Sequence, residues 1–162
     1  MMYDTLFLDR DGVINKKLEG RYITDFKDFE FIKGSLDAII NLKSVFNKII
    51  IVTNQQGIGK EIMSVEDLQI VHEKMQEAIS KEFKCINKIY FCPHLESEEC
   101  ECRKPGIGML LQSKADFPDI NISNSFLVGD SDTDIQAGKR FGVKTIKVDN
   151  NFTLSKWANS II

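Results

Sequence analysis

The sequence predicts an α/β protein built on a doubly wound parallel sheet with helices on both faces, and two observations lead there. Five short apolar runs rich in β-branched and aromatic residues recur along the chain. They are continuous rather than alternating, as strands buried on both faces are. Between them lie segments with helical spacing and capping residues, so strand and helix alternate as in a Rossmann-like sheet.

The first strand covers 5–8 and ends on the paired aspartates of DRDGVIN, residues 9–15. Residues 16–33 lack periodicity and read as a long loop over the sheet's edge. Gly34-Ser35 opens a helix whose Leu36, Ile39, Leu42 and Phe46 share a face. The second strand, 49–53, ends at Thr53-Asn54. Ser64 to Asp67 has the form of a capping box leading into Leu68, Val71, Met75 and Ala78. A strand at 88–91, a helix at 109–116, a strand at 125–128, a helix over 133–141 closed by Gly142, and a strand at 144–148 complete the pattern. The tail from Asn151 to Ile162 is left without a role.

At 162 residues the chain suits one domain, 1–162, able to bury a core unaided. The span between Asp11 and Gly34 leaves no room for a large cap domain. A net charge of -3 argues against a nucleic-acid partner, which asks for a broad basic surface. No apolar stretch reaches about 18 residues, and charged Asp4, Asp9, Arg10 and Asp11 flank the first strand. Neither a membrane partner nor a signal peptide is expected; the expected setting is the cytoplasm and the expected state a monomer.

Polar residues gather where strands end. Asp9 follows the first strand, Thr53-Asn54 ends the second, Cys92 follows the third and Gly129-Asp130 ends the fourth, and in open α/β sheets ligands bind outside those carboxyl ends. The four groups are expected to share one crevice. A lone D-x-D is commonly a solvated turn, but GDSDTD after another strand adds Asp130 and, one helical turn on, Asp134. Carboxylates so crowded call for a cation, and an all-oxygen set with room for water and phosphate suits Mg²⁺. GIGK, residues 57–60, is no phosphate-binding P-loop, because Asn54 and Glu61 occupy positions that need Gly and Ser or Thr.

A second cluster lies in FCPHLESEECECRKP, residues 91–105. Cys92, His94, Cys100 and Cys102 supply three thiolates and an imidazole, the donor set of a closed structural Zn²⁺ site. Such a staple would aim Arg103 and Lys104, which follow it directly, into the crevice. His72 falls in a helical pattern and reads as a packing or surface residue.

DRDGVIN, IVTNQQGIG, CRKP and VGDSDTD, in that order and at strand ends, resemble the four motifs of the haloacid dehalogenase superfamily of phosphohydrolases. The resemblance implies that Asp9 attacks phosphorus to form an aspartyl phosphate, while Asp11 serves as acid and then as base. It implies that Thr53 and Lys104 stabilise the transferring group and that Asp9, Asp11 through its backbone carbonyl, and Asp130 hold Mg²⁺, with Asp134 behind them. Within the superfamily, GRYI, DFEFIKG and the zinc loop resemble phosphatases of heptose 1,7-bisphosphate. This implies a small phosphorylated sugar as partner, with substrate contacts from Lys17, Gly20, Asn54, Gln55, Gln56, Arg103 and Ser131. Lys16, Lys17, Arg21 and Arg103 are expected to form a second cationic cluster for the far phosphate. The short zinc loop equally resembles histidinol-phosphate phosphatases, and a non-catalytic zinc module on the same fold is the reading of another class.

Overall fold

In the computed structural model, which describes residues 2–81 and 84–162, five parallel strands form one sheet. They are β1 (Tyr3–Leu8), β2 (Phe46–Asn54), β3 (Lys88–Cys92), β4 (Phe126–Gly129) and β5 (Lys144–Lys147), ordered β3-β2-β1-β4-β5. Because the chain builds outward from β1 through β2 to β3 and then returns to place β4 on the other side, winding reverses between β1 and β4. A reversal of this kind opens a crevice at the carboxyl ends of those two strands.

Side chains alternate across the sheet, and each face is covered. Leu6, Leu8, Ile49, Ile51 and Val128 pack on one side with Ile39 and Leu42 of α1 (Ser35–Leu42), Val71 and Met75 of α2 (Val65–Ile79), and Leu154 and Trp157 of α5 (Leu154–Ile161). Phe7, Ile50, Val52 and Leu127 pack on the other with Met109 and Leu110 of α3 (Gly108–Asp116) and Ala137 of α4 (Asp132–Phe141). The predicted capping box forms: Ser64 Oγ accepts from Asp67 N at 3.0 Å, and Asp67 accepts from Ser64 N at 2.9 Å. Gly142 closes α4 in the left-handed region, at φ 102.

Several expectations need correction. Phe46 is not on the α1 face; it begins β2, because the chain turns at Lys43 to Val45 and the apolar side chain serves the sheet instead. Ala78 is exposed, and Ile79 takes the last buried position of α2. Residues 16–33 do not lie over an edge. They follow the central strand, place Ile23 and Phe29 in the core, and pass beside the crevice. Cys92 ends β3 rather than following it, and its buried side chain turns into the second core face, not the crevice.

The unassigned tail proves to be α5. Its Trp157, 4% exposed, packs against Phe46 and Phe126 with ring centroids at 6.3 and 5.7 Å. Trp157→Ala removes this lid from the β1–β2–β4 end of the core and is expected to lower unfolding free energy by about 3–5 kcal/mol. Urea unfolding followed by circular dichroism measures it, and a midpoint matching the wild type would refute the packing role.

Candidate active site

At the floor of the crevice, the Lys104 ammonium is 3% exposed and uses three donors, to Asp9 Oδ1 at 2.8 Å, Asp134 Oδ1 at 2.6 Å and the Val52 carbonyl at 2.7 Å. Burial works against this charge, but the Asp9 and Asp134 carboxylates outweigh it and hold Lys104 above its ordinary value. Asp134 is held low by the same ion pair and by Ser131, whose backbone N and Oγ donate to it at 3.1 and 2.9 Å. Asp9 and Asp130 behave otherwise: burial lifts both, Lys104 and Lys17 respectively pulling back.

Asp11 is the counterpart. Burial tends to raise it, yet Arg10 and hydrogen bonds from Asn15 and Gln55 keep it below the usual carboxylate range. Its Oδ1 accepts from Arg10 Nη2 at 3.0 Å and Asn15 Nδ2 at 2.9 Å, and its Oδ2 from Gln55 Nε2 at 2.9 Å. Gln55 also donates to Thr53 Oγ1 at 2.9 Å, so one amide spans two residues of the site. The turn that brings Asp11 here depends on Gly12, which has φ +85 and on which a Cβ would collide with the Asp130 carboxylate.

Asp9, Asp130 and Asp134 present carboxylate oxygens within 4.8 Å of one another. Lys104 is shared between Asp9 and Asp134, and Lys17 reaches Asp130 only at 4.0 Å, so the three carboxylates are short of positive charge. An all-oxygen donor set with a charge deficit fits a hard divalent cation.

Around this floor, a cavity of about 290 Å³ is lined by Asp9, Asp11 and Asp130 together with Lys17, Arg21, Tyr22, Asn54, Gln55, Gln56, Arg103 and Ser131. Asn54 turns its amide to the Lys104 backbone, accepting from Lys104 N at 3.0 Å and donating to Lys104 O at 3.2 Å, and so orients that residue. Gln56 donates to Tyr22 Oη at 3.1 Å and accepts from Glu96 N at 3.0 Å, tying the loops on either side. Thr53 is fully buried beneath them. Two expected members fall elsewhere. Gly20 lines a neighbouring groove, and Lys16 lines the same groove with its ammonium 2.6 Å from Glu30 Oε1, so Lys16 leaves the expected cationic cluster.

The Cys92, His94, Cys100 and Cys102 donors converge. Cys102 Sγ lies 2.9 Å from Cys92 Sγ, 3.6 Å from Cys100 Sγ and 3.1 Å from His94 Nδ1, and all four cysteines are free thiols. Tetrahedral ligands about 2.3 Å from zinc stand roughly 3.8 Å apart; these donors sit closer together than that, and all four lie within 4.8 Å of one another, so a bound ion would spread them slightly. Among the described residues no helix is long and apolar enough to cross a membrane.

A family model described as "Polynucleotide kinase 3 phosphatase" matches residues 4–161. The chain belongs to this haloacid dehalogenase-like phosphatase family. A D-glycero-alpha-D-manno-heptose-1,7-bisphosphate 7-phosphatase from Mycobacterium tuberculosis is 38% identical over 131 residues, 81% of this chain and 69% of its own. A D-glycero-beta-D-manno-heptose-1,7-bisphosphate 7-phosphatase from Helicobacter pylori is 36% identical over 152 residues, 93% of this chain and 83% of its own. The same fold occurs in a D,D-heptose 1,7-bisphosphate phosphatase from B. bronchiseptica complexed with magnesium and phosphate, with a TM-score of 0.81 and 24% identity over 98% of this chain and 97% of that one.

For this phosphatase, reading the sequence did not single out Arg10 or Asn15, which both bond Asp11, and it took His72 for a packing or surface residue, of which burial agrees with packing. Asn15 had a local signal, since it lies four residues after Asp11 inside the same motif. His72 had none: it is 6% exposed, and its Nε2 lies 3.0 Å from Arg10 Nη1, a pairing across 62 residues.

Two measurements test this description. Elemental analysis of the purified phosphatase is expected to find about one zinc per chain, and Cys100→Ser to lose it together with thermal stability; a zinc-free protein with an intact melting curve rejects the staple. Burial and the Arg10 charge push His72 down to about 3 from an ordinary 6.5. Because the folded value is the lower one, the unfolded chain takes up a proton first. The contribution of His72 is therefore complete above pH 6.5 and lost as pH falls toward 3, by up to about 1.4 kcal/mol per unit. Unfolding free energies at pH 6.5, 5.5 and 4.5 are expected to fall more steeply for wild type than for His72→Gln; parallel slopes contradict a buried neutral imidazole.

Proposed function

We propose that this phosphatase hydrolyses the 7-phosphate of a heptose 1,7-bisphosphate in the cytoplasm, with Mg²⁺ held by Asp9, the Asp11 carbonyl and Asp130, and structural Zn²⁺ held by Cys92, His94, Cys100 and Cys102. The observation that carries the substrate is the sign of charge around the cavity. Lys17, Arg21 and Arg103 stand at its walls, and among the described residues no acidic side chain lines it apart from Asp9, Asp11, Asp130 and Asp134 at the floor. Glu96 and Glu99 face a groove beyond Arg103, and Glu19 faces the groove that holds Gly20. A bisphosphate needs positive charge at both ends, whereas the ammonium of histidinol phosphate would be repelled there. The names of the M. tuberculosis and H. pylori relatives agree with this choice.

In the proposed reaction, Asp9 attacks phosphorus and the sugar oxygen leaves as Asp11 gives it a proton. An incoming phosphate dianion sets negative charge beside Asp11 and raises its otherwise low affinity for that proton. Lys104 keeps the Asp9 carboxylate aimed and balances the charge that builds on the phosphoryl oxygens, and Thr53, accepting from Gln55, has its hydroxyl proton to give to one of them. Asp11, now a base, takes a proton from the water that cleaves the aspartyl phosphate. When bound, magnesium supplies the positive charge that the floor lacks and keeps Asp9 ionised.

Asp9→Asn is expected to fold normally and lose turnover by at least about 10⁴, as phosphate release measures; near-normal activity contradicts a covalent mechanism. For the substrate, kcat/KM is expected to favour heptose 1,7-bisphosphate over histidinol phosphate, and a tenfold preference for the latter, about 1.4 kcal/mol, overturns the assignment.

A further inference from the structure

His72 occupies the buried side of α2 beside Leu68, Val71 and Met75, a place where an apolar side chain would pack as well. Its Nε2 is 3.0 Å from Arg10 Nη1. A guanidinium only donates and stays charged, so Nε2 is the acceptor and the neutral ring carries its proton on Nδ1. Arg10 is itself 1% exposed, with its guanidinium carbon 5.9 Å from the centre of the Phe29 ring and its Nε buried without a partner. Two anchors therefore fix its fork, His72 at Nη1 and Asp11 Oδ1 at Nη2, 3.0 Å away.

We propose that His72 is a positioning residue for the acid–base step, holding Arg10 so that Arg10 holds the Asp11 carboxyl in its reactive orientation. The inference rests on the acid–base reading of Asp11. Oδ1 receives two donors, from Arg10 and Asn15, whereas Oδ2 receives only Gln55 Nε2. The proton of the acid form accordingly belongs on Oδ2. Asn15 and Gln55 bind the carboxyl as neutral amides whose NH2 groups are shared with Lys16 O and Thr53 Oγ1; Arg10 is its one charged, planar donor, and a charge-assisted bond is the stronger restraint. α2 is a rigid place to hold Arg10 from, because its first turn is capped and its inner face is packed. Without an acceptor at position 72, Arg10 Nη1 joins Nε as a buried donor with no partner, and the guanidinium pivots toward one.

Protonation matters most when the leaving group is a poor one. The experiment compares kcat/KM, which reads the steps up to release of the alcohol and not the later hydrolysis of the aspartyl phosphate that both substrates share, on a sugar phosphate, heptose 1,7-bisphosphate or another that the enzyme turns over, with kcat/KM on 4-nitrophenyl phosphate, whose phenolate departs unaided. His72→Leu, which removes the acceptor, is expected to slow the sugar phosphate by about 10² and the aryl ester by less than about threefold. His72→Gln, which offers an amide oxygen to Arg10, is expected to recover most of the lost rate. Asp11→Asn serves as the control and shows the same selectivity more strongly. Equal losses on both substrates, or none, in His72→Leu overturn the proposal while a selective Asp11→Asn leaves the role of Asp11 standing. An unselective Asp11→Asn removes that role and the proposal with it. If circular dichroism shows His72→Leu to be unfolded, His72→Asn, polar but too short to reach Arg10, must give the selective loss instead.

Discussion

The ammonium of Lys104, buried between the carboxylates of Asp9 and Asp134, is the constraint around which the rest of the site is arranged. A charge so deep in the protein is tolerable only when its donors are satisfied, and removing one partner would strand the others. Satisfying it brings together three loops: Asp9 leaves β1, Asp134 starts α4 after β4, and Lys104 comes from the segment after β3, 95 residues from Asp9. The sheet supplies the first two positions by register, since Leu8 pairs with Val128 and Asp9 N donates to Val128 O at 3.0 Å. No strand supplies the third.

That third position is held by contacts that look unrelated to chemistry. Asn54 grips both backbone polar groups of Lys104, and the four-donor cluster ending at Cys102 fixes the chain two residues earlier. Gln55 N and Gly59 N donate to the carbonyls of Cys92 and Pro93 at 2.8 and 2.9 Å, so the loop after β2 and the cysteine loop move as one body. Preorganisation here means that the cost of ordering Lys104 falls on folding rather than on each catalytic cycle.

The site also separates its charges by depth. Carboxylates gather at the floor, where Asp9 shares Lys104 with Asp134 and Asp130 meets Lys17 only at 4.0 Å, and cations stand at the walls. A phosphorylated ligand meets attraction at entry and a cation-demanding cluster beneath. The overall charge of -3 conceals this arrangement, since it counts Lys16, Glu30, Glu96 and Glu99 equally with the residues that line the cavity.

Much of this was legible in the chain because its causes are local in sequence. Continuous apolar runs fix where strands lie, the Ser64 to Asp67 box fixes where α2 starts, and the candidate site residues follow strand ends directly, so the clustering of Asp9, Asp11 and Asp130, and of the donors of residues 92–102, could be read off in order. The fold class, the family and the phosphatase activity followed from those motifs. What the sequence left open has non-local causes. Phe46 is apolar at helical spacing, and only the turn at Lys43 to Val45 decides that it serves β2. Lys16 and Lys17 are adjacent and alike, and tertiary placement alone pairs one with Glu30 and sets the other 4.0 Å from Asp130. The tail became α5 because Phe46 and Phe126 present an aromatic surface for Trp157 to cover. His72 reads as one more residue on an apolar helix face until the fold sets it against Arg10. Spacing records what neighbours along the chain can do together, whereas a buried charge finds its partner only where the packed chain places one.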